Sequence, residues 1–148
     1  MKNFFFDTSA LFKRYQPEKG TLKVNEIFSG KNTCLFISNI SIIEVISNLK
    51  RLYEVDRITT KPQFILQKSQ FYKDIRDFEI TVVDIISDHI LTAESLIIKR
   101  YMKPFDSLQL AVALNLQGTG LTFVCADQRL CEIARIEDLT ALNPEDFT

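Results

Sequence analysis

Short runs of hydrophobic residues alternate along the chain with longer segments in which polar and apolar positions are mixed. Runs of only a few residues are typical of strands that are buried on both faces of a parallel sheet. They predict strands at Phe4–Phe6, Cys34–Ser38, Ile80–Ile85 and Leu121–Cys125, and a weaker strand at Asp138–Leu142. The pattern therefore favours a sheet in the interior of the fold.

The segments between these runs place their hydrophobic residues at helical spacing. They predict helices from Thr8 to about Tyr15, Thr21 to Phe28 with Thr21 as the cap, Ser41 to Tyr53, Pro62 to Phe78, Ser87 to Tyr101, Pro104 to Leu116 and Asp127 to Ile136. Regular alternation of strands and helices indicates a parallel sheet covered on both faces. We therefore predict one α/β domain over residues 1–148, an α/β/α sandwich with a central parallel sheet of four to five strands.

Acidic residues stand where the predicted strands and helices meet. Asp7 and Asp127 each follow a buried strand, Glu44 lies near the start of a helix, and Asp106 is the only charged residue in an otherwise apolar helix. In open α/β sheets, ligands bind at the carboxyl ends of the strands, where the order of the strands reverses. We expect the four acids to meet at that edge, provided that the strands before Asp7 and Asp127 are neighbours.

Each acid also has a purely structural interpretation. Asp7 and Asp127 are favourable N-caps, Ser41 to Glu44 matches a capping box, and the helix dipole favours Asp106 in a first turn. Four neighbouring carboxylates, however, repel one another by about 1 to 4 kcal/mol per pair at about 4 Å. Since Ser or Asn caps a helix without this repulsion, the cluster favours a bound cation.

Carboxylates with no histidine or cysteine among them are the ligands of a hard cation, Mg²⁺ or Mn²⁺. Mg²⁺ usually takes phosphate oxygens of a substrate as further ligands. A bound cation makes water a stronger nucleophile and stabilises the attacking and leaving oxygens of an in-line displacement. The four acids therefore predict that the protein hydrolyses a phosphodiester with a metal-activated water.

Composition and charge are those of an ordinary globular protein. Hydrophobic residues make up 46% of the chain, charged residues make up 25%, and the net charge is −1. That charge does not favour a protein that coats nucleic acid nonspecifically, although it permits nucleic acid to bind at a local site. The three cysteines lack the paired spacing of a zinc site. With no signal-peptide core and no apolar run near the ~20 residues that span a bilayer, we expect a cytoplasmic protein with no membrane association.

Four motifs in order give a family resemblance: Phe6-Asp7-Thr8-Ser9-Ala10-Leu11, Ser41-Ile42-Ile43-Glu44, Pro104-Phe105-Asp106-Ser107-Leu108 and Cys125-Ala126-Asp127-Gln128-Arg129. With the closing Leu142-Asn143-Pro144, they cover essentially the whole chain and resemble the PIN-domain ribonucleases, most of all the VapC-type toxins of toxin–antitoxin pairs. Cys125 stands where that family often has a hydroxyl residue, and Ser107 where it often has alanine.

The resemblance implies a Mg²⁺- or Mn²⁺-dependent endoribonuclease that acts on RNA. The implied catalytic and metal-binding acids are Asp7, Glu44, Asp106 and Asp127. Ser9 resembles the family's accessory hydroxyl, bonded to the first aspartate, and Thr8 beside it is a second accessory candidate. The resemblance also implies a homodimer and a small cognate antitoxin whose C-terminal segment covers the site. Arg51 is a further candidate for RNA binding, because it shares a helix face with Glu44 two turns away.

Other classes of function remain as alternatives. The first is a catalytically silent PIN-like module that binds RNA or protein, although such a module has no need of mutually repelling acids. The second is a hydrolase of small phosphate esters, which the missing phosphate-binding glycine loop disfavours. His89 is the only histidine, and without a partner serine or cysteine motif it does not predict a catalytic triad.

Overall fold

A five-stranded parallel sheet forms the centre of the protein in a computed structural model that describes residues 1–147. The strands are β1 (Lys2–Phe6), β2 (Thr33–Ser38), β3 (Thr81–Val83), β4 (Leu121–Val124) and β5 (Thr140–Leu142). The helices are α1 (Thr8–Leu11), α2 (Thr21–Phe28), α3 (Ile40–Glu54), α4 (Lys61–Asp77), α5 (Ser87–Lys99), α6 (Pro104–Asn115) and α7 (Gln128–Ile136). Short 3₁₀ turns lie at Phe12–Arg14, Gln117–Thr119 and Pro144–Asp146. The predicted α/β/α class and parallel sheet are confirmed.

The order of the strands, β3-β2-β1-β4-β5, makes β1 and β4 neighbours. Phe6 pairs with Val124 at the carboxyl ends of the two strands, and the amide of Asp7 donates to the Val124 carbonyl at 3.0 Å. From β1 the chain builds the sheet outward in one direction through β2 and β3, then returns to the other side of β1 to add β4 and β5. The expected topological switch point therefore lies between the strands that precede Asp7 and Asp127.

Alternating side chains of the strands supply two separate hydrophobic cores. Phe5 points to one face, where its ring stacks on Phe123 at 5.9 Å and packs with residues of α5, α6 and α7. Phe6 points to the opposite face, where it meets Phe28 edge to face at 5.3 Å and packs with residues of α2 and α3. This period of two places α3 and α6 on opposite faces of the sheet.

The predicted cap of α2 is wrong. Gly20, at φ +92°, is the N-cap of α2 in place of Thr21. A Cβ atom on Gly20 would lie 3.1 Å from the carbonyl carbon of Pro144, so this position favours glycine for space as well as for its left-handed backbone. The Thr21 hydroxyl instead accepts from the amide of Glu18 and donates to the carbonyl of Lys13.

A buried ion pair joins α4 to the segment after α1. The Nε atom of Arg14 donates to Oδ2 of Asp74 at 2.6 Å, and the Tyr15 hydroxyl donates to the same oxygen at 2.8 Å. The Nε2 atom of Gln70 completes the shell around this carboxylate, which is 2% exposed. The hydrogen bonds offset the cost of burying its charge.

Among residues 1–147, every helix is too short or too polar to cross a bilayer.

Candidate active site

Four separate elements deliver the predicted acids to the carboxyl edge of the sheet. Asp7 follows β1, Asp127 follows β4 after a two-residue turn, Glu44 lies in the second turn of α3, and Asp106 lies in the first turn of α6. The charges of Glu44 and Asp106 act on Asp7, and those of Asp127 and Glu44 act on Asp106. Residues from both faces of the sheet thus meet at the β1–β4 switch point.

Asp7 is the most deeply buried of the four, with 3% of the residue exposed. Its Oδ1 atom accepts the Ser9 hydroxyl at 2.6 Å and the Ala10 amide at 3.2 Å. Burial raises the pKa of Asp7 from 3.8 to about 7, the charges of Asp106 and Glu44 add to the rise, and the two hydrogen bonds oppose it. The carboxyl group is therefore only partly ionised near neutral pH without a cation.

Asp127 is exposed and caps α7, because its Oδ1 atom accepts the Leu130 amide at 3.0 Å. The Ser9 hydroxyl oxygen also accepts the Ala126 amide at 3.0 Å, so Ser9 connects the ends of β1 and β4. Asp7 caps α1 in the same manner. Both predicted caps are present, and capping uses one oxygen of each carboxylate.

Glu44 does not belong to a capping box. The N-cap of α3 is Asn39, so Ser41 lies inside the helix and cannot cap it, and that interpretation is wrong. Instead, Oε1 of Glu44 accepts the Thr8 hydroxyl at 2.7 Å and Nε2 of Gln109 at 3.1 Å. The carboxylate is thus held by residues from α1 and α6 and has no role in starting its own helix.

Gln109 is a site residue that the sequence analysis missed. It is 2% exposed, and its Oε1 atom accepts the Ser38 hydroxyl at 2.9 Å. That bond orients the amide so that Nε2 faces Glu44, with the hydroxyls of Ser41 and Thr8 at 2.8 and 3.1 Å. A usable signal was present in the sequence: Gln109 lies one turn after Asp106 on an otherwise apolar helix.

Asp106 has no structural partner of this kind. The N-cap of α6 is Lys103, and within residues 1–147 the Asp106 carboxylate accepts no hydrogen bond and forms no ion pair. Burial raises its pKa, the charges of Asp127 and Glu44 raise it further, and Lys103 and Arg129 oppose the rise. Its position in the first turn agrees with the dipole interpretation, but that effect is worth only about 0.3–1 kcal/mol at an exposed site.

Two clefts adjoin the acids. The first has a volume of about 220 Å³ and is lined by Asp106 and Asp127 together with Tyr101, Lys103, Arg129, Met102, Leu130 and Ile133. The second, of about 300 Å³, is lined by Glu44 together with Ile43, Ser47, Asn48 and Phe105. Asp106 and Asp127 are therefore accessible to a ligand from the first cleft and Glu44 from the second, whereas Asp7 lines neither.

Several other candidates have partners in the structure. The Nε atom of Arg51 lies 3.6 Å from Asp56, and the Arg51 side chain is 71% exposed, so its contact with RNA stays a prediction. The Nδ1 atom of His89 accepts the Ile86 amide at 3.0 Å, which satisfies the start of α5. Cys125 is buried among the site residues, where a hydrogen bond with Cys131 and burial both raise the pKa of its thiol.

The chemistry of the donors fits a hard divalent cation, because carboxylates and hydroxyls supply oxygen ligands alone. In the described part of the chain, however, no three acidic, histidine or cysteine side chains are close enough to hold one ion as they stand. Asp106, which has no hydrogen bond to lose, is the acid best able to move toward a cation. The donor atoms therefore suit such an ion, but the side chains must move closer together to bind it.

Comparison with known families gives one clear result. The sequence profile of the PIN domain matches residues 4–136, which is most of the chain. A search of curated protein sequences gives no significant match.

Solved structures show the same fold at low sequence identity. A chain of a toxin–antitoxin complex from Klebsiella pneumoniae is 18% identical with a TM-score of 0.63, over 95% of this chain and 96% of that one. FitAcB from Neisseria gonorrhoeae is 12% identical with a TM-score of 0.67, over 95% and 97%. VapC20 from Mycobacterium tuberculosis, a toxin that cleaves the sarcin–ricin loop, is 14% identical with a TM-score of 0.61, over 86% and 92%. At these identities the likeness establishes the fold alone.

Proposed function

The chain belongs to the PIN domain family, and we propose that it is a divalent-cation-dependent endoribonuclease of the VapC toxin type. The observation that supports this proposal is that Asp7, Glu44, Asp106 and Asp127, from four different elements, lie near the edge of the sheet where ligands bind, each close enough for its charge to act on another or to be acted on. Their negative charges repel one another, and burial raises the pKa of Asp7 to about 7. A cation among them offsets this repulsion and favours the ionised form of each acid.

We propose that the four acids together hold Mg²⁺ or Mn²⁺. When bound, the cation supplies Lewis-acid stabilisation of the negative charge that develops on the phosphate and makes water a stronger nucleophile near neutral pH. The remaining work belongs to the chain itself. Ser9 holds Asp7 in place, while Thr8 and Gln109 occupy one oxygen of Glu44 and fix its direction.

Asp106, whose carboxylate is not held by a hydrogen bond, would be the ligand that turns toward the ion. A catalytically silent module remains the alternative, and this residue argues against it. A carboxylate that is partly buried among like charges, without a hydrogen bond to any residue described, lowers stability unless it has a ligand. A silent module gains nothing from retaining it.

RNA, a cognate antitoxin and a second copy of the chain are the partners that we propose. Structural relatives support the first two, since one is described as a toxin that cleaves the sarcin–ricin loop and others as VapBC complexes bound to DNA. Exposed apolar side chains on α4 and α5 offer surface for protein partners: Ile65, Leu66, Leu91 and Ile98.

Cleavage of RNA by the purified protein tests the proposal. Structured and single-stranded RNA are incubated with Mg²⁺, with Mn²⁺ or with a chelator, using wild type, Asp106→Asn and the control Asp77→Asn. Asp77 is an acid at the end of α4 that pairs with Arg76. We expect cation-dependent cutting by wild type and the control, and loss of at least about 100-fold in Asp106→Asn, as for other groups that stabilise a transition state directly.

The chemistry of the products separates two mechanisms. Attack by water leaves a terminal phosphate monoester and still cuts a substrate that lacks the neighbouring ribose hydroxyl. Attack by that hydroxyl leaves a cyclic phosphate and requires it. Cleavage that persists in the chelator, or that is as fast in Asp106→Asn as in wild type, would contradict the proposal.

A further inference from the structure

The cleft beside Asp106 and Asp127 combines three kinds of surface. Two cations, Lys103 and Arg129, stand close enough for their charges to act on Asp106. Tyr101 also lines the cleft, and this residue is 70% exposed. The floor is apolar and buried, formed by Met102, Leu130 and Ile133. We name this cleft, lined by the acids and these residues, the Tyr101 cleft.

Tyr101 and Arg129 are held together. The Nη2 atom of Arg129 donates to the main-chain carbonyl of Tyr101 at 2.6 Å, and its guanidinium carbon lies 5.9 Å from the centre of the Tyr101 ring. Lys103 forms no ion pair with any residue that the structure describes, although it directly precedes α6. The exposed Tyr101 ring lines the cleft together with these two cations and belongs to neither hydrophobic core.

We propose that the Tyr101 cleft is a nucleotide subsite, in which Tyr101 stacks on a base and Lys103 and Arg129 bind the phosphate that adjoins the scissile bond. This inference rests on the proposed ribonuclease function and extends it to the path of the substrate. Aromatic platforms and neighbouring cations are the means by which proteins bind single-stranded nucleic acid without reading its sequence.

The size and charge of the two clefts support this assignment. At about 220 Å³ the Tyr101 cleft is smaller than the roughly 300–1,000 Å³ of sites for drug-sized ligands, so it cannot enclose more than one nucleotide. The second cleft, at Glu44, is lined by no cation among the residues described. The strongest binding of the RNA backbone is therefore expected on the side of Asp106 and Asp127.

The phosphate contacts are tested by the salt dependence of binding. A short, labelled, mixed-sequence single-stranded RNA is titrated with Glu44→Gln protein, which we expect to bind without cutting, and with the same protein carrying Lys103→Gln or Arg129→Gln. Each lost phosphate contact should reduce the slope of log affinity against log salt by about 0.7. Arg76→Gln, in an exposed ion pair on α4, is the matched control and should leave the slope unchanged.

The stacking contact is tested with Tyr101→Ala and Tyr101→Phe. Loss of one stacked base should weaken binding by about 5- to 140-fold in Tyr101→Ala, while Tyr101→Phe retains affinity. RNA with a single abasic position, moved along the strand, should weaken binding to the parent at one position and have no such effect on Tyr101→Ala. Because the ring is exposed and the hydrogen bond of Arg129 goes to the main chain of Tyr101, Tyr101→Ala loses only the contact between guanidinium and ring, and the melting temperature should fall by at most about 5 °C.

The outcomes separate the two proposals. If wild type cuts RNA and the Glu44→Gln parent binds it, while these variants bind as tightly as the parent, the subsite is overturned and the nuclease proposal stands. A wild type that neither binds nor cuts RNA with Mg²⁺ or Mn²⁺ would overturn the proposed function and the subsite with it.

Discussion

Gln109 on α6 donates its amide hydrogen to Glu44 on α3 over 3.1 Å, although the two helices cover opposite faces of the sheet. The bond passes beyond the carboxyl ends of the strands, where the sheet no longer separates the two layers. One buried amide thus joins the helix of Asp106 to the carboxylate of Glu44 and sets the distance between two proposed ligands.

We expect Gln109→Met to reduce cleavage by about tenfold or more, equivalent to an interaction of about 1.4 kcal/mol lost from the transition state. The side chain keeps its length but no longer holds Glu44. Loss of the buried partners of Ser38 and Ser41 should also lower the free energy of unfolding by about 1–3 kcal/mol. Single-turnover kinetics and denaturant unfolding measure the two effects.

Val112→Ala is the control for stability alone, because it creates a cavity at a fully buried residue of the same helix. It should be less stable but should retain its single-turnover rate at temperatures where it is folded. If both variants lose the same fraction of activity, Gln109 acts only through stability and does not position Glu44.

Asp7→Asn should make the metal-free protein more stable at pH 8 while abolishing cleavage. The pKa of Asp7 is about 7 in the folded protein against 3.8 ordinarily, so folding favours the protonated form. The stability from that protonation is complete below about pH 4 and is lost as the pH rises through about 7. Asparagine stays neutral and retains the capping oxygen.

The difference in unfolding free energy between Asp7→Asn and wild type should therefore be near zero at about pH 4 and grow to at most about 4 kcal/mol at pH 8. Urea unfolding in a chelator across this range measures it. A difference that is constant with pH would show that burial does not disfavour the Asp7 charge.

The Arg14–Asp74 pair makes a prediction about the fold alone. Arg14→Met leaves a buried carboxylate with hydrogen bonds only from Tyr15 and Gln70, and we expect a loss of about 3–5 kcal/mol. The double variant Arg14→Met with Asp74→Leu removes both charges and should lose less than Arg14→Met alone. Denaturant unfolding of the two single variants and the double variant gives the coupling energy; additive losses would contradict it.

Much of the architecture could be predicted because its determinants are local. The run ending at Phe6 and the apolar stretch before Asp127 specify buried strands, and alternation with helices fixes a parallel sheet. The order of the strands then brought Asp7 and Asp127 to neighbouring ends, as the switch-point rule requires. The same rule predicted the position of the acids at this edge, while their role as ligands stays a prediction.

The contacts of Glu44 could not be predicted, because they are distant in sequence. The spacing of Ser41 and Glu44 is that of a capping box whether Ser41 caps the helix or lies inside it, and Asn39 decides between the two. Thr8 and Gln109, which hold Glu44, come from 36 residues before it and 65 residues after it. Gly20 is the N-cap of α2 in place of Thr21, and its close contact with Pro144, which is distant in sequence, could not be predicted either.

Thermal unfolding with and without Mn²⁺, on wild type, Asp106→Asn and the control Asp77→Asn, most directly tests whether the four carboxylates bind a divalent cation. At about ten times its dissociation constant, the ion should add roughly 1.4 kcal/mol and raise the melting temperature of wild type and control by about 3–5 °C. Asp106→Asn should melt at or above the metal-free wild type, because one repelling charge is gone, and should show no shift with Mn²⁺. A wild type that Mn²⁺ does not stabilise, or an equal shift in Asp106→Asn, would contradict a cation site built from these acids.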